Sequence, residues 1–296
     1  LVAWLPRYAP WAARIPELIN LGKPNGLLAR AGERLLGLTA RRERPRWRRD
    51  VFRAAGGPVG KTMISAPARK QIESVEGEMA SARPAGTGPD DENSKPEVLL
   101  WVDTFNTYFE PENARAALRV LEAAGYRVHF PAQAGRPPCC GRTFLNAGLI
   151  DEARREGQRL LGALSPWVER GVPIVGLEPS CLLTLRDELP TILPGEESTN
   201  LANASLLLDE FLVQEAEAGR ASLDLGPVEA KTALVHTHCH QKALGRDGAT
   251  EEVLRRIPGL AVSTLPSGCC GMAGAFGYEA EHYDVSMAMG ELGLLP

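Results

Sequence analysis

The chain has 296 residues, 44% of them hydrophobic and 24% charged, and a formal net charge of −4. That is enough apolar material for a packed core without disulfide staples, and it excludes a collagenous or wholly disordered chain. The charge is unevenly spread: residues 1–53 carry twelve Lys/Arg against four Asp/Glu, so the acidic excess lies in the remainder.

The opening stretch "LVAWLPRYAPWAARIPELINL" is apolar, but Pro6, Pro10, Pro16, Arg7 and Arg14 interrupt it. A spanning helix needs about 20 nearly uncharged apolar residues, so this is not one. It also lacks the charged start and cleavage pattern of a signal peptide. The chain begins at Leu1 and is expected to be a piece of a longer, cytoplasmic protein. "NGLLARAGERLLGL" sets Leu27, Leu28, Ala31, Leu35 and Leu36 on one stripe at helical spacing, and residues 1–55 read as a helical connector. A basic arm suits an anionic membrane surface, nucleic acid or an acidic neighbouring domain. The simplest reading is a solvated, Arg-rich connector; aromatic interleaving and repeats are missing, and nucleic acid is not an expected partner.

Residues 56–96 are small, polar and rich in Pro and Gly, which predicts a flexible linker. The stretch "AGGPVGKT" (55–62) nearly matches a phosphate-binding loop, but Ala55 stands where the first glycine belongs. The flanking "RRDVFRAA" and "MISAPARKQ" supply neither the strand nor the helix such a loop needs, so no nucleotide site is assigned.

From Glu97 the pattern changes. "EVLLWVD" (97–103), "YRVHF" (126–130) and "VPIVGLEP" (172–179) read as strands, and "PENARAALRVLEAAG" as a helix with Pro111 at its start and Gly125 at its end. Longer helices are predicted over 143–169 and 200–218. The plan then recurs: strand "TALVHTH" (232–238), helix "TEEVLRRIPG" (250–259), strand "LAVSTLP" (260–266), and a helix over 279–291. Alternating strands and helices imply parallel sheets with right-handed crossovers. Aligning "VHTHCH" (235–240) on "VDTFNT" (102–107) puts Thr237 on Thr104 and Cys239 on Asn106. The fold class is therefore α/β, in two pseudo-repeated halves, 97–220 and 221–296, behind a helical arm and a linker.

The six cysteines follow that plan. Cys139 and Cys140 lie in "PCCG" after the second strand, Cys181 after the third, Cys239 after the fourth, and Cys269 and Cys270 in "SGCCG" after the fifth. Carboxyl ends of parallel strands share one edge, where ligands bind. If the halves face each other, all six thiols can meet. A disulfide between adjacent cysteines is disfavoured, since neighbouring Cα atoms lie about 3.8 Å apart and disulfides want about 4.4–6.8 Å. Two CCG tripeptides at equivalent places argue against inert buried thiols, and each glycine permits a tight turn. Metal ligation remains. Thiolates bind zinc and iron–sulfur clusters. No C-x-x-C pair occurs, but "HTHCHQK" adds His236, His238 and His240, so a mixed Cys/His zinc site stays open beside a polynuclear iron centre. His129 and His282 read as structural. A metal-free thiol–disulfide catalyst is a third reading.

The double CCG resembles the cysteine-rich CCG domain found in heterodisulfide reductase, in the iron–sulfur subunit of glycolate oxidase and in the lactate-utilisation proteins. "HTHCHQKALG" and "SGCCGMAGAFGYEAEHYDVSMAMGELGLLP" are similar to the C-terminal part of fused FAD-linked oxidase/iron–sulfur proteins, which act as D-2-hydroxyacid dehydrogenases. The resemblance covers 97–296. It implies that Cys139, Cys140, Cys181, Cys239, Cys269 and Cys270 ligate an iron–sulfur cluster of the [4Fe–4S] type, with zinc the alternative occupant of an assembly domain without electron transfer. It implies FAD-binding and ferredoxin-like domains elsewhere in the parent protein, and a quinone or other acceptor. The basic arm sets a peripheral position at the inner face of the membrane beside the cytoplasmic one as an expectation. The first half lacks the family's leading cysteine, since Asn106 stands there. A trailing cysteine to match Cys181 would fall 41 residues past Cys270, beyond Pro296.

Overall fold

The computed structural model describes residues 2–22, 24–53, 95–131, 136–221 and 223–295. The predicted linker over 56–96 lies outside these residues save for its last two positions, and so does the "AGGPVGKT" stretch. The N-terminal arm holds α1 (Leu5–Ala12), α2 (Pro16–Ile19) and α3 (Leu27–Leu36), followed by extended chain to residue 53. The stripe read from α3 does form on a helix, but it faces outward: Leu27 and Leu35 are 85% and 82% exposed.

The arm is not the solvated connector expected for it. It straps the body in three places. Near its start, Thr143 Oγ1 donates to Ala3 O (2.9 Å) and Arg7 Nε to Glu156 (3.0 Å). In the middle, Thr39 N–H donates to Tyr278 O (2.8 Å) and Arg42 reaches Ser286 Oγ (3.1 Å). At its end, Phe52 N–H donates to Thr107 O (3.0 Å). Three of its arginines, Arg7, Arg41 and Arg48, meet acids of the body, Glu156, Asp284 and Glu112.

Beyond the arm, β1 (Glu97–Trp101), α4 (Thr104–Tyr108), α5 (Pro111–Ala123) and β2 (Arg127–His129) follow. Next come α6 (Arg142–Asn146), α7 (Ile150–Val168), β3 (Ile174–Gly176), α8 (Pro179–Arg186), α9 (Glu188–Ile192), α10 (Glu196–Ala204), β4 (Ser205–Leu207) and α11 (Leu208–Glu217). The four strands form one parallel sheet in the order β2-β1-β3-β4, with Leu99 opposite both His129 and Ile174. Leu99 and Trp101 pack on one face with Leu160, Leu164 and Leu182; Val98, Leu100 and Val102 pack on the other with Leu121 and Phe211. Side chains alternate along a strand, so a run apolar at every position marks a strand covered on both faces.

Two predicted helices are each divided. The helix read over 143–169 breaks between α6 and α7 at Gly148, which takes φ +71°. The helix read over 200–218 is split by β4. Ser205 Oγ turns back to Leu201 O (2.7 Å), and Glu210 accepts the Leu207 N–H (3.0 Å) to start α11.

The remaining elements are β5 (Thr232–Val235), α12 (Cys239–Ala243), α13 (Ala249–Arg255), β6 (Ala261–Thr264) and α14 (Tyr283–Glu291). β5 and β6 pair in parallel, Thr232 opposite Ala261 and Val235 opposite Thr264, as a separate two-stranded sheet. This sheet is thinly covered: Leu234 is 68% exposed. The order strand, helix, strand, CCG, helix holds in both units. No helix among the described residues is long and apolar enough to cross a membrane.

Candidate metal centre

Each CCG turn is built the same way. In the first, Gly141 takes φ +84° and its N–H points at Cys139 Sγ (3.4 Å); in the second, Gly271 takes φ +79° and its N–H points at Cys269 Sγ (3.4 Å). The left-handed conformation suits glycine because a Cβ is penalised there. Space adds a second reason. A Cβ on Gly141 would sit 3.0 Å from Ala153 O on α7, and one on Gly271 only 2.0 Å from Ser286 O on α14. Both turns are pressed against a helix further along the chain.

The loops are braced from the side. Trp101 Nε1, at the end of β1, donates to Pro138 O (3.1 Å), and Arg159 Nη1 on α7 to Arg136 O (2.9 Å). Arg159 also binds Pro137 O. In the second unit Lys242 Nζ does the equivalent work at Ser267 O (2.5 Å).

The first three thiols form one buried group in the apolar layer between β1 and α7. Cys139, Cys140 and Cys181 are linked side chain to side chain, Cys140 in the middle. Its hydrogen bond to Cys140, with burial, pushes the Cys139 thiol well up. Cys140 is eased down by Cys139, but its bond to Cys181 and its burial carry it well up. Cys181 is eased down by Cys140, yet burial and the nearby Asp103 and Glu178 raise it to about 12. Without a cation, then, these are neutral thiols; a bound cation reverses that and takes the thiolates.

Cys239, Cys269 and Cys270 form the second group, which is more open. Burial raises the Cys239 thiol, and the charges of Cys269 and Cys270 add to it. Cys181 lies in the first turn of α8 and Cys239 opens α12, so each sits where a helix terminus favours an anion.

The two units touch beside the two groups. His238 Nε2, just before Cys239, pairs with Ser180 Oγ, just before Cys181, at 3.2 Å. Asn146, five residues after the first CCG glycine, crowds the second CCG loop, its Nδ2 lying 2.9 Å from where a Cβ of Gly274 would be. These contacts bring Ser180 and Asn146 of the first unit against His238 and the second CCG loop.

Two carboxylates beside the first group were not foreseen. Asp103 caps α4, accepting from Phe105 N (2.7 Å) and Asn106 N (3.1 Å), and burial pushes its carboxyl up. Glu178 caps α8, and burial together with the Asp103 charge raises it to about 7. Asn106, in the place of the missing cysteine, donates Nδ2 to Asp103 Oδ2 (2.6 Å) and accepts from Asn113 (3.2 Å). It serves the buried carboxylate rather than a metal. A Val-Asp-Thr segment leaving an apolar strand was the available signal, because it marks a helix cap, but burial of the acid is a tertiary effect.

The histidines divide. His236 Nδ1 is paired with Ser267 Oγ (2.6 Å), and His238 uses both nitrogens, accepting from His240 N–H (3.1 Å) and meeting Ser180. Burial holds both imidazoles below their usual range. His240 faces Asp187 and Glu188. His129 pairs with Glu97 (2.9 Å) and stacks near Trp167, and His282 pairs with Glu279 (2.6 Å), both structural as expected.

The donor set fits an iron–sulfur centre better than a single zinc ion. Tetrahedral zinc at about 2.3 Å from each thiolate sets its sulfurs ~3.8 Å apart. Among the described residues, no three cysteine sulfurs all lie within 4.8 Å of one another, and none joins a histidine in such a group. A polynuclear centre, whose irons are ligated separately, accepts the wider spacing. The two CCG glycine N–H groups already point at sulfur, as donors that tune such a centre do.

Comparisons with known proteins find the same two segments. The CCG cysteine-rich domain profile matches residues 103–186 and 233–292, one segment in each unit. The chain is 31% identical over 197 residues to one of the subunits of the anaerobic glycerol-3-phosphate dehydrogenase of Escherichia coli K12, covering 66% of this chain and 48% of that protein. It is 29% identical over 188 residues to lactate utilization protein A of Bacillus velezensis, covering 61% of this chain and 74% of that one. It is 24% identical over 301 residues to D-2-hydroxyglutarate dehydrogenase of E. coli K12, a match that takes in 99% of this chain but only 26% of that protein. The chain thus spans about half the length of the first relative and a quarter of the last. With a matched segment and a glycine-locked thiol turn in each unit, the chain belongs to the cysteine-rich CCG-domain family.

Proposed function

We propose that this chain is the iron–sulfur electron-transfer part of a FAD-linked 2-hydroxyacid dehydrogenase of the D-lactate, glycolate or D-2-hydroxyglutarate type. The observation that carries the reading is the pair of thiol groups, Cys139/Cys140/Cys181 and Cys239/Cys269/Cys270, whose chain neighbours Ser180 and His238 meet at 3.2 Å. The likeness to lactate utilization protein A and to D-2-hydroxyglutarate dehydrogenase supports the substrate class.

In this reading the six thiolates hold a centre of the [4Fe–4S] type, which supplies one-electron transfer when bound. The chain's own part is electrostatic and steric. Gly141 and Gly271 donate N–H to sulfur, the Leu160–Leu164 layer keeps water from the first group, and Arg159 and Lys242 hold the loops in place. Electrons arrive from FAD through the flavin and ferredoxin-like domains of the parent protein and leave to a quinone or another acceptor. Residues 97–220 and 221–296 act as two CCG units, tethered through the 56–96 linker to the arm. The outward Trp11, Leu18, Leu27 and Leu35 of the basic arm suit a peripheral place on the inner face of the membrane.

The test is anaerobic reconstitution of the full chain with iron and sulfide, both counted. Brown protein with equal iron and sulfide, lost in Cys140→Ser and in Cys269→Ser, is the expected result. A colourless chain that takes zinc and no iron overturns it in favour of a zinc-bound assembly domain.

A further inference from the structure

Four of the five histidines satisfy a ring nitrogen with a side-chain hydrogen bond. His240 does not. Its side chain is nine-tenths buried at 10% exposure, and its Nδ1 has no partner. Its Nε2 faces Asp187 Oδ2 at 3.9 Å and Glu188 Oε2 at 4.0 Å, both too far for a hydrogen bond. Glu188 Oε2 is likewise buried and unpartnered, because Arg142 takes the other oxygen, Oε1. The imidazole thus has a buried orphan nitrogen on one edge, Nδ1, and on the other edge Nε2 faces a buried orphan carboxylate oxygen without bonding it, an arrangement native proteins avoid unless something fills it. One ligand atom from each of the three side chains lies within 4.8 Å of the others.

We propose that Asp187, Glu188 and His240 bind a divalent transition-metal ion of the zinc type, clamping the four-stranded unit to the two-stranded one. One imidazole nitrogen and two carboxylate oxygens, with water completing the shell, is a donor set such ions accept. Ligands about 2.1 Å from a tetrahedral ion stand ~3.4 Å apart, so the carboxylates need to close by about half an ångström. Both can swing, as Asp187 is 55% and Glu188 29% exposed at the side chain. Arg142 on Oε1 orients the carboxylate from outside and leaves Oε2 to the ion, the usual place of an outer partner. The carbonyl end of α8 adds a favourable dipole. Asp187 lies six residues on from Cys181, ~9 Å along the helix, whereas His240 directly follows Cys239, so the test has to separate this site from the thiols. Glu279, Glu281 and His282 are grouped as closely, but there the ring already bonds Glu279 at 2.6 Å and stacks on Phe276, so nothing is left for an ion to satisfy.

Cobalt(II) separates this site from the cysteines, since only thiolate-bound cobalt shows intense sulfur-to-metal absorbance. Equilibrium dialysis of the full chain against Co²⁺ should show one equivalent more than His240→Asn binds, with the sulfur-derived absorbance equal in the two. Asp187→Asn, at an exposed side chain that folding does not depend on, should weaken that same equivalent at least tenfold. Zn²⁺ at a hundredfold above Kd should raise Tm by an additional increment on the order of 5 °C in the unaltered chain over His240→Asn. Equal metal counts in all three proteins would overturn the proposal. So would loss of the sulfur absorbance along with the equivalent, which would place His240 in the thiol centre.

Discussion

Two single residues carry consequences that can be measured. Gly271 combines φ +79° with a would-be Cβ only 2.0 Å from Ser286 O, whereas a Cβ at Gly141 would stand 3.0 Å from its nearest neighbour. Gly271→Ala should cost about 2–4 kcal/mol, ~1–2 from the left-handed backbone and the rest from the clash, and Gly141→Ala less. Urea unfolding of the metal-free chain checks both the size and the order. Glu178 gives a pH effect. Its carboxyl is raised from 4.5 to about 7, so the folded state holds the proton more tightly than the unfolded one. The stability from this group is complete below pH 4.5 and is lost as pH rises through 7. Glu178→Gln should remove that loss, on the order of 3 kcal/mol at pH 8, and flatten the stability profile of the metal-free chain between pH 5 and 8. A variant with the same slope as the parent would show that Glu178 is solvated. The cysteines' placement was legible in the sequence, because strand ends of a parallel sheet share an edge. The Asp103–Glu178 pair was not, since these acids are far apart in the chain and only folding buries them together.

At the scale of elements, legibility tracked how completely each was covered. The run at 97–102 was readable because both faces of β1 are buried, leaving no polar interruption. β4 was not, for it is three residues set between two helical segments, and its only marks are the Ser205 and Glu210 caps. Gly148 broke a helix that periodicity carries straight through. α3 shows the other failing. Spacing predicts an apolar stripe but not what covers it, and here Leu27, Leu28, Leu35 and Leu36 remain exposed at 53–85%. If that stripe meets a lipid surface, Leu27→Asp with Leu35→Asp should weaken sedimentation with anionic vesicles on the order of tenfold or more. Unchanged sedimentation, or none by the parent chain, removes the membrane from the proposed surroundings.

At the scale of the molecule, the arm decides how the parts stand together. Composition revealed its positive charge, but its targets lie over a hundred residues away. Arg7 reaches Glu156, Arg41 reaches Asp284, and Arg42 reaches Ser286. Exposed pairs such as Arg41–Asp284 contribute little each, whereas Glu156, 2% exposed among Arg7 and Arg136, is a buried junction that a lost partner would unsettle. The two sheets differ in strand number and cover, and that predicts a difference in stiffness. Four strands sandwiched between helices resist twisting, while a lone ribbon such as β5–β6 flexes about its own axis. In the proposed centre one bank of sulfurs would then be a fixed jaw and the other a compliant one. A guest of slightly different girth, or one that swells on changing oxidation state, would be accommodated by the ribbon's side of the vice.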